Sequence, residues 1–348
     1  MIDVNNTIKS AFKALAVIFI AVIFSIESEA SAQGAKYALS LCGSTVIPSL
    51  LPFMVISTYI VKSDLLSFLL KKGNRICSVI FDLPPESGLI FLLSLIGGYP
   101  VGAKLIKDGI SKGSLTYNQG KRMLLFCVNS GPAFIVNVVG VAMLGNKKLG
   151  LILFLCMSVT SFIIGIMSRL FKKDDCIPES VTEKSGNSLL QSVDDSVKSI
   201  ISMCGWIVVF SALQFVIKDL FIPESLKPWV PVVFEVTDGC RTAAKSLPLP
   251  MVAFVLGWSG LTVHGQLMEY ISFIGLKYRY FFVSRLINGA LGLGVFSAVL
   301  KLFPDVVSVF SNIGKVVPGS VSVSIPAAVG MMFLFALVIL DLAPKEKV

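Results

Sequence analysis

The chain has 348 residues, 55% of them hydrophobic and only 15% charged, with a mean hydropathy of +0.83. A soluble chain carries about 25% charged residues. This one lacks the polar surface to cover itself in water, which excludes a soluble domain and predicts an all-α polytopic membrane protein. The formal charge of +9 gathers at the ends of apolar segments, in Lys71, Lys72 and Arg75, Lys121 and Arg122, and Arg169, Lys172 and Lys173. That is where Lys and Arg hold cytoplasmic loops; with no basic stripe interleaved with aromatics, no nucleic acid is expected as a partner.

The first apolar run, 11–26, follows Lys9 and Lys13 and precedes an A-x-A at 30–32. It reads as a signal-like segment or, in a polytopic chain, as an uncleaved first spanning helix, with Glu27 and Glu29 outside. Continuous runs of spanning length then come at 38–61, 121–145 and 149–171 and, after the polar stretch 172–188, at 195–217, 277–300 and 323–342. About twenty apolar residues cross a hydrocarbon core as a helix. Two further stretches, 88–110 and 250–275, are apolar but interrupted by Gly, Pro, Ser and Thr. The organisation expected is a first helix and linker over 1–36, one repeat over 37–171, a polar linker over 172–190 and a second repeat over 191–348. Seven cysteines without a C-x-x-C pair and a lone His264 point to neither disulfide framework, metal site nor cofactor.

The halves resemble each other. "GGYPVGAKL" (97–105) overlays "SGLTVHGQL" (259–267), and each half then places a basic residue, Arg122 or Arg285, at the head of a helix with a Gly interruption. If both interrupted stretches are re-entrant hairpins, each half crosses the membrane three times and the second is inverted. The basic residues of 62–75, Lys121, Arg122 and Arg169 then lie in the cytoplasm, but Lys147, Lys148, Lys277 and Arg279 fall outside, against the charge rule.

Backbone that leaves helical geometry inside a bilayer survives only where it is buried in protein or lines a wet cavity. Matched interruptions in two halves are the sequence mark of a transporter's binding site, and freed helix N-termini favour an anion. One wall is expected from Gly97, Gly98, Tyr99, Lys104, Asn129, Ser130 and Gly131. The other is expected from Ser259, Gly260, Thr262, His264, Gln266, Arg285 and Asn288. Close helix packing would by itself explain an isolated Gly pair; two clusters carrying Pro, His, Gln and Asn read as a site. "VFEVTDGCRT" (233–242) is either a surface loop or the place of a buried carboxylate, Glu235, able to take a coupling proton or sodium ion because desolvation favours its neutral form. "GWSG" (257–260) has a rhomboid-protease look. Yet five residues from Ser259 to His264 turn a helix by about 140°, pointing the two apart, so catalysis ranks behind transport.

"PSLLPFMVIS" (48–57), "GGYPVGAK" (97–104), "NSGPAFI" (129–135), "EVTDG" (235–239) and "SGLTVHGQ" (259–266) resemble, in order, the YlbJ (SpoVV) family of sporulation integral membrane proteins. Ser130 stands where the family pattern has Thr. The resemblance covers nearly the whole chain after residue 35. It implies nucleoside-recognition (Gate) domains, the broken-helix inverted-repeat fold of concentrative nucleoside transporters, and alternating access. It also implies a place in the cell membrane or the mother-cell-derived membrane around the forespore, with dipicolinic acid as cargo. A nucleoside or nucleobase carrier, an intramembrane serine protease and a non-transporting sporulation scaffold are the alternatives.

Overall fold

The computed structural model of the chain describes residues 14–15, 18, 20–62, 79–171, 188–219 and 222–303. The segment 323–342, the linker 172–187, Lys71, Lys72, Arg75, Lys172, Lys173 and part of 11–26 lie outside the described residues. Every regular element described is helical. Among the described residues, five helices are long and apolar enough to cross a membrane: Ser28–Ile60, Lys147–Phe171, Leu189–Lys218, Met251–Ile274 and Tyr278–Leu302.

Helix α1 (Ser28–Leu41) passes through a π turn, Cys42–Val46, into α2 (Ile47–Lys62). Pro48 closes that turn; its ring cannot sit over the carbonyl four residues back, and a widened turn relieves the clash. Then come α3 (Glu86–Gly97), α4 (Tyr99–Ser111) and α5 (Tyr117–Leu124), the last started by a Thr116–Gln119 capping box. An unwound stretch leads into a π-helical segment, Ala133–Met143, and Asn146 caps α6 (Lys147–Met167). The second half comprises α7 (Ser188–Asp219), α8 (Trp229–Phe234), α9 (Val236–Ser246), α10 (Met251–Trp258), α11 (Gly260–Ile274) and α12 (Tyr278–Leu302).

The spanning helices are apolar outside and polar inside. On α6, Leu151, Leu155 and Val159 are exposed at four-residue spacing, while Thr160 and Ser161 are buried. Ser192, Ser196, Ser211 and Gln214 of α7 are buried too. Lipid solvates the apolar stripe; hydroxyls and amides need protein partners.

The interrupted stretches are of two kinds. A Cβ on Gly102 would stand 2.7 Å from Ser94 Cβ. Residues eight apart in one straight helix are about 12 Å apart, so α3 and α4 lie side by side as a hairpin with its tip at Gly98. The same holds for α8 and α9: a Cβ on Gly239 would meet Pro231 O at 3.1 Å and Val232 Cα at 3.1 Å, so Glu235 is the tip of a second hairpin. The stretch 250–275, expected to be that second hairpin, is instead one 24-residue helix, Met251–Ile274, long and apolar enough to cross a membrane and broken at Ser259 and Gly260. The overlay of "GGYPVGAKL" on "SGLTVHGQL" therefore sets a hairpin tip on a break within that helix.

Candidate functional site

Each hairpin tip is seated in the break of the helix that follows it. A Cβ on Gly131 would lie 2.8 Å from Ile96 O and 3.3 Å from Gly98 N, and a Cβ on Gly102 would meet Cys127 O at 1.8 Å. Only glycine lets the unwound 125–132 chain press against the first hairpin. In the second half a Cβ on Gly260 would lie 3.0 Å from both Phe234 O and Val236 N. Thr262 Oγ1 donates to Phe234 O at 2.8 Å, fastening α11 to that tip. The two pairs are joined by Tyr99, whose hydroxyl accepts from Ser130 and donates to Leu256 O at 3.0 Å.

Three helix N-termini meet here, with N-caps at Gly98, Glu235 and Ser259. The Glu235 side chain caps its own helix by accepting from Asp238 N at 2.7 Å. The other two starts have no side-chain cap; in α4 Pro100 has no N–H and Val101 N donates to Gly98 O at 3.2 Å, so the first-turn amides that a solute anion could take are chiefly those of α11. Gly98 has φ +86 and Ser259 φ +73, left-handed geometry that suits the glycine and strains the serine.

Between the breaks lies a narrow cavity of ≈ 40 Å³. Gly98, Tyr99, Ser130, Gly131, Glu235, Thr262 and Gln266 line it, closed over by Val46 and Leu50 from the α1–α2 span and by Met203 and Ile207 of α7. Small-molecule sites usually measure about 300–1,000 Å³, so this is a shut geometry. Glu235 is 1% exposed, a buried carboxylate rather than a surface loop. Gln266 Oε1 has no hydrogen-bond partner among the described residues.

The other expected residues stand behind the lining. Asn129 donates to Phe126 O at 2.9 Å and accepts from Ser161 at 2.5 Å; Asn288 accepts from Thr160 at 3.0 Å. Both amides therefore bolt the unwound chain and α12 to neighbouring residues of α6. Gly97 ends α3. His264 is bonded through Nδ1 to Tyr278 Oη at 3.0 Å and through Nε2 to Trp258 O at 3.2 Å, while Ser259 Oγ donates to Leu256 O at 3.1 Å. Neither ring nitrogen meets the serine. Lys104, expected to meet a solute, points to α7 and pairs with Asp195 at 3.1 Å. Beside it Lys107 pairs with Glu269 of α11 at 2.9 Å, so two ion pairs tie the first hairpin to the second half.

Arg285 is fully buried. Its Nη1 donates to Val128 O in the unwound stretch, while Nε and Nη2 have no partner among the described residues. No carboxylate pairs with it there, although burying a charge is costly unless it is compensated.

Sequence reasoning missed Phe134 and the apolar wall from α2 and α7, because an apolar residue on a spanning helix gives no sign of which cavity it faces. Arg241 was also passed over; its donation to Tyr37 across 204 residues has no local signature.

These features define a multi-pass helical membrane protein with a buried polar centre. It is homologous to the sporulation integral membrane protein YlbJ of Bacillus subtilis (strain 168), with 23% identity over 307 residues and 75% of each chain covered. No protein-family model, a Gate-domain one included, matches the chain, and no solved structure matches it.

Proposed function

We propose that this protein carries a small organic anion across its membrane by alternating access, with dipicolinic acid as the favoured cargo. The observation that carries the reading is Arg285, a fully buried cation with two idle donors and no counter-ion among the described residues. It stands behind a cavity onto which the uncapped N-terminus of α11 opens. A carboxylate would satisfy both. A flat pyridine ring bearing two carboxylates also suits the Tyr99 face. Entry requires the ≈ 40 Å³ cavity to widen, which separation of the hairpin tips from the facing breaks would achieve.

The hairpin assignment supports two inverted halves, on the plan of concentrative nucleoside transporters. The first half has the span Ser28–Ile60, a hairpin, a broken crossing over 117–143 and the span Lys147–Phe171; the second repeats that order with Leu189–Lys218, a hairpin, Met251–Ile274 and Tyr278–Leu302. Three crossings per half invert the second, and its hairpin dips from the opposite side. In this count Lys277 and Arg279 fall on the cytoplasmic side with Lys121, Arg122 and Arg169, as the charge rule asks. Geometry matches Gly98 with Glu235 and "NSGP" with "WSGL". Glu235, the carboxylate at the second tip, is the site proposed for a coupling proton or sodium ion. The homology to a sporulation protein favours the membrane around the forespore.

A nucleoside or nucleobase is the second reading, favoured by the idle Gln266 Oε1 in the cavity wall, an acceptor fitted to a ring N–H. Uptake of labelled dipicolinate into proteoliposomes, with uridine as competitor, separates the two. Dipicolinate uptake indifferent to uridine is expected; uridine uptake without dipicolinate uptake replaces the first reading with the second.

A further inference from the structure

A second cavity is larger than the central one. A vestibule of ≈ 370 Å³ lies on the far side of the second hairpin, within the range of small-molecule sites. Its polar wall is Ser44, Thr45 and Ser49 from the π turn and the start of α2, Asn137 from the π-helical segment, and Arg241 from α9. Well under 1% of residues in soluble proteins are π-helical, and such turns gather at functional sites. Both π segments described here border this one space.

Depth decides what fills it. The π turn begins fourteen residues into the Ser28–Ile60 span, about 21 Å along the helix, near the middle of the bilayer. The Ser44 and Ser49 hydroxyls donate back to Ser40 O at 2.7 Å and Thr45 O at 2.6 Å in their own helix, but an amide and a guanidinium at that depth cannot face lipid tails; they line water or meet a solute. The Asn137 amide is exposed and makes no hydrogen bond among the described residues.

Arg241 is the vestibule's charge. It donates to Tyr37 Oη and lies 3.5 Å from Asp238 Oδ1, and Tyr37 in turn donates to Asp238. That triangle uses only part of a five-donor fork and leaves the side chain 38% exposed. A planar guanidinium held this way matches a carboxylate. The central cavity is the next chamber inward: Val46 of the π turn and Phe134 of the π-helical segment line it.

The geometry points to a second binding site, an antechamber in which Arg241, aided by the Asn137 amide, captures a carboxylate-bearing solute before it enters the central cavity. The inference rests on the transport reading for the class of solute. It also assigns this face as the open one, since the ion pairs of Lys104 and Lys107 lie on the other side of the hairpin tips.

The test is charge-selective labelling of Asn137→Cys in membrane vesicles, measured against the parent chain to remove the contribution of native thiols. Two impermeant methanethiosulfonates of similar size are used, one bearing a sulfonate and one a trimethylammonium group. Relative to their ratio on a free thiol, the sulfonate should react about fivefold faster, as a unit charge a few ångströms away implies. Arg241→Gln should remove that preference, and dipicolinate should slow both reagents. A cysteine that reacts with neither reagent means the wall is covered, and the proposal is wrong. So does a preference unchanged by Arg241→Gln. If the preference depends on Arg241 but the wild-type chain takes up no dicarboxylate, the antechamber stands and the cargo reading falls.

Discussion

Arg122 and Arg285 are both buried, one beside the unwound chain in the first broken helix and the other within α12, and their surroundings differ. Arg122 donates to three backbone carbonyls, Ser168 O at 3.1 Å, Asp82 O at 3.0 Å and Phe81 O at 2.5 Å. It clamps the end of α6 to the chain that leads into α3. Arg285 reaches one carbonyl and leaves Nε and Nη2 idle. Burial alone thus fails to separate a structural cation from a functional one. What separates them is whether the neighbouring chain satisfies the donors, since an unmet buried donor in a native fold asks for an explanation.

Removing each charge in turn should separate the two cations. Arg122→Met leaves three carbonyls without their charged donor, each such bond being worth about 1.5–3 kcal/mol. It should abolish folded, monodisperse protein in detergent. Arg285→Met removes one bond and the contact with the Phe281 ring at 5.9 Å but relieves a buried charge without a carboxylate partner among the described residues, so thermal stability should hold or rise while anion uptake disappears. If Arg285→Met unfolds the chain and Arg122→Met does not, the assignment is reversed.

A smaller but clear effect is expected where a hairpin tip meets its break. Gly131→Ala puts a methyl 2.8 Å from Ile96 O, whereas the space at Gly205 is open. Uptake should fall by more than about tenfold, with membrane insertion retained, while Gly205→Ala should stay near wild type. Equal behaviour of the two would mean the abutting glycines are not part of the moving contact.

Lys104 sharpens the contrast with Arg285 from the other side. Its charge is engaged by Asp195 with side-chain exposures of 16% and 30%, and partly exposed pairs are worth about 0–1 kcal/mol. Lys104→Gln should therefore change apparent affinity for a dicarboxylate by no more than about twofold, and Asp195→Asn added to it should cost nothing further. A tenfold loss of affinity in Lys104→Gln would return that lysine to the binding wall.

Ser259 should show the smallest effect. Its φ of +73 is costly for serine and easy for glycine, so Ser259→Gly should retain uptake and match or exceed wild-type melting temperature. Loss of all function in a well-folded Ser259→Gly chain would reopen the protease reading.

Much of this architecture is legible in the sequence, for a physical reason: lipid-facing helices must be long apolar runs, and backbone breaks inside them need Gly, Pro and small polar residues. That is how 88–110 and "NSGP" announce themselves. The second hairpin stays hidden because α8 is only six residues long and α9, "VTDGCRTAAKS", carries the composition of a surface loop. Taking 250–275 for that hairpin then put Lys277 and Arg279 on the side the charge rule forbids. Gly98, Tyr99, Ser130, Gly131, Thr262 and Gln266 could be chosen from local pattern. The partner of Lys104 could not, since Asp195 is 91 residues away on a helix whose buried polar face is masked by its apolar content.

If Arg285 holds the anion, saturation of dipicolinate uptake by wild-type and Arg285→Gln proteoliposomes shows it directly. A charged contact of about 1.5–3 kcal/mol predicts at least about a tenfold rise in the half-saturating concentration, with Arg285→Lys recovering part of it. Unchanged half-saturation in a folded Arg285→Gln chain would contradict the claim and leave the cation as a clasp on the Val128 carbonyl.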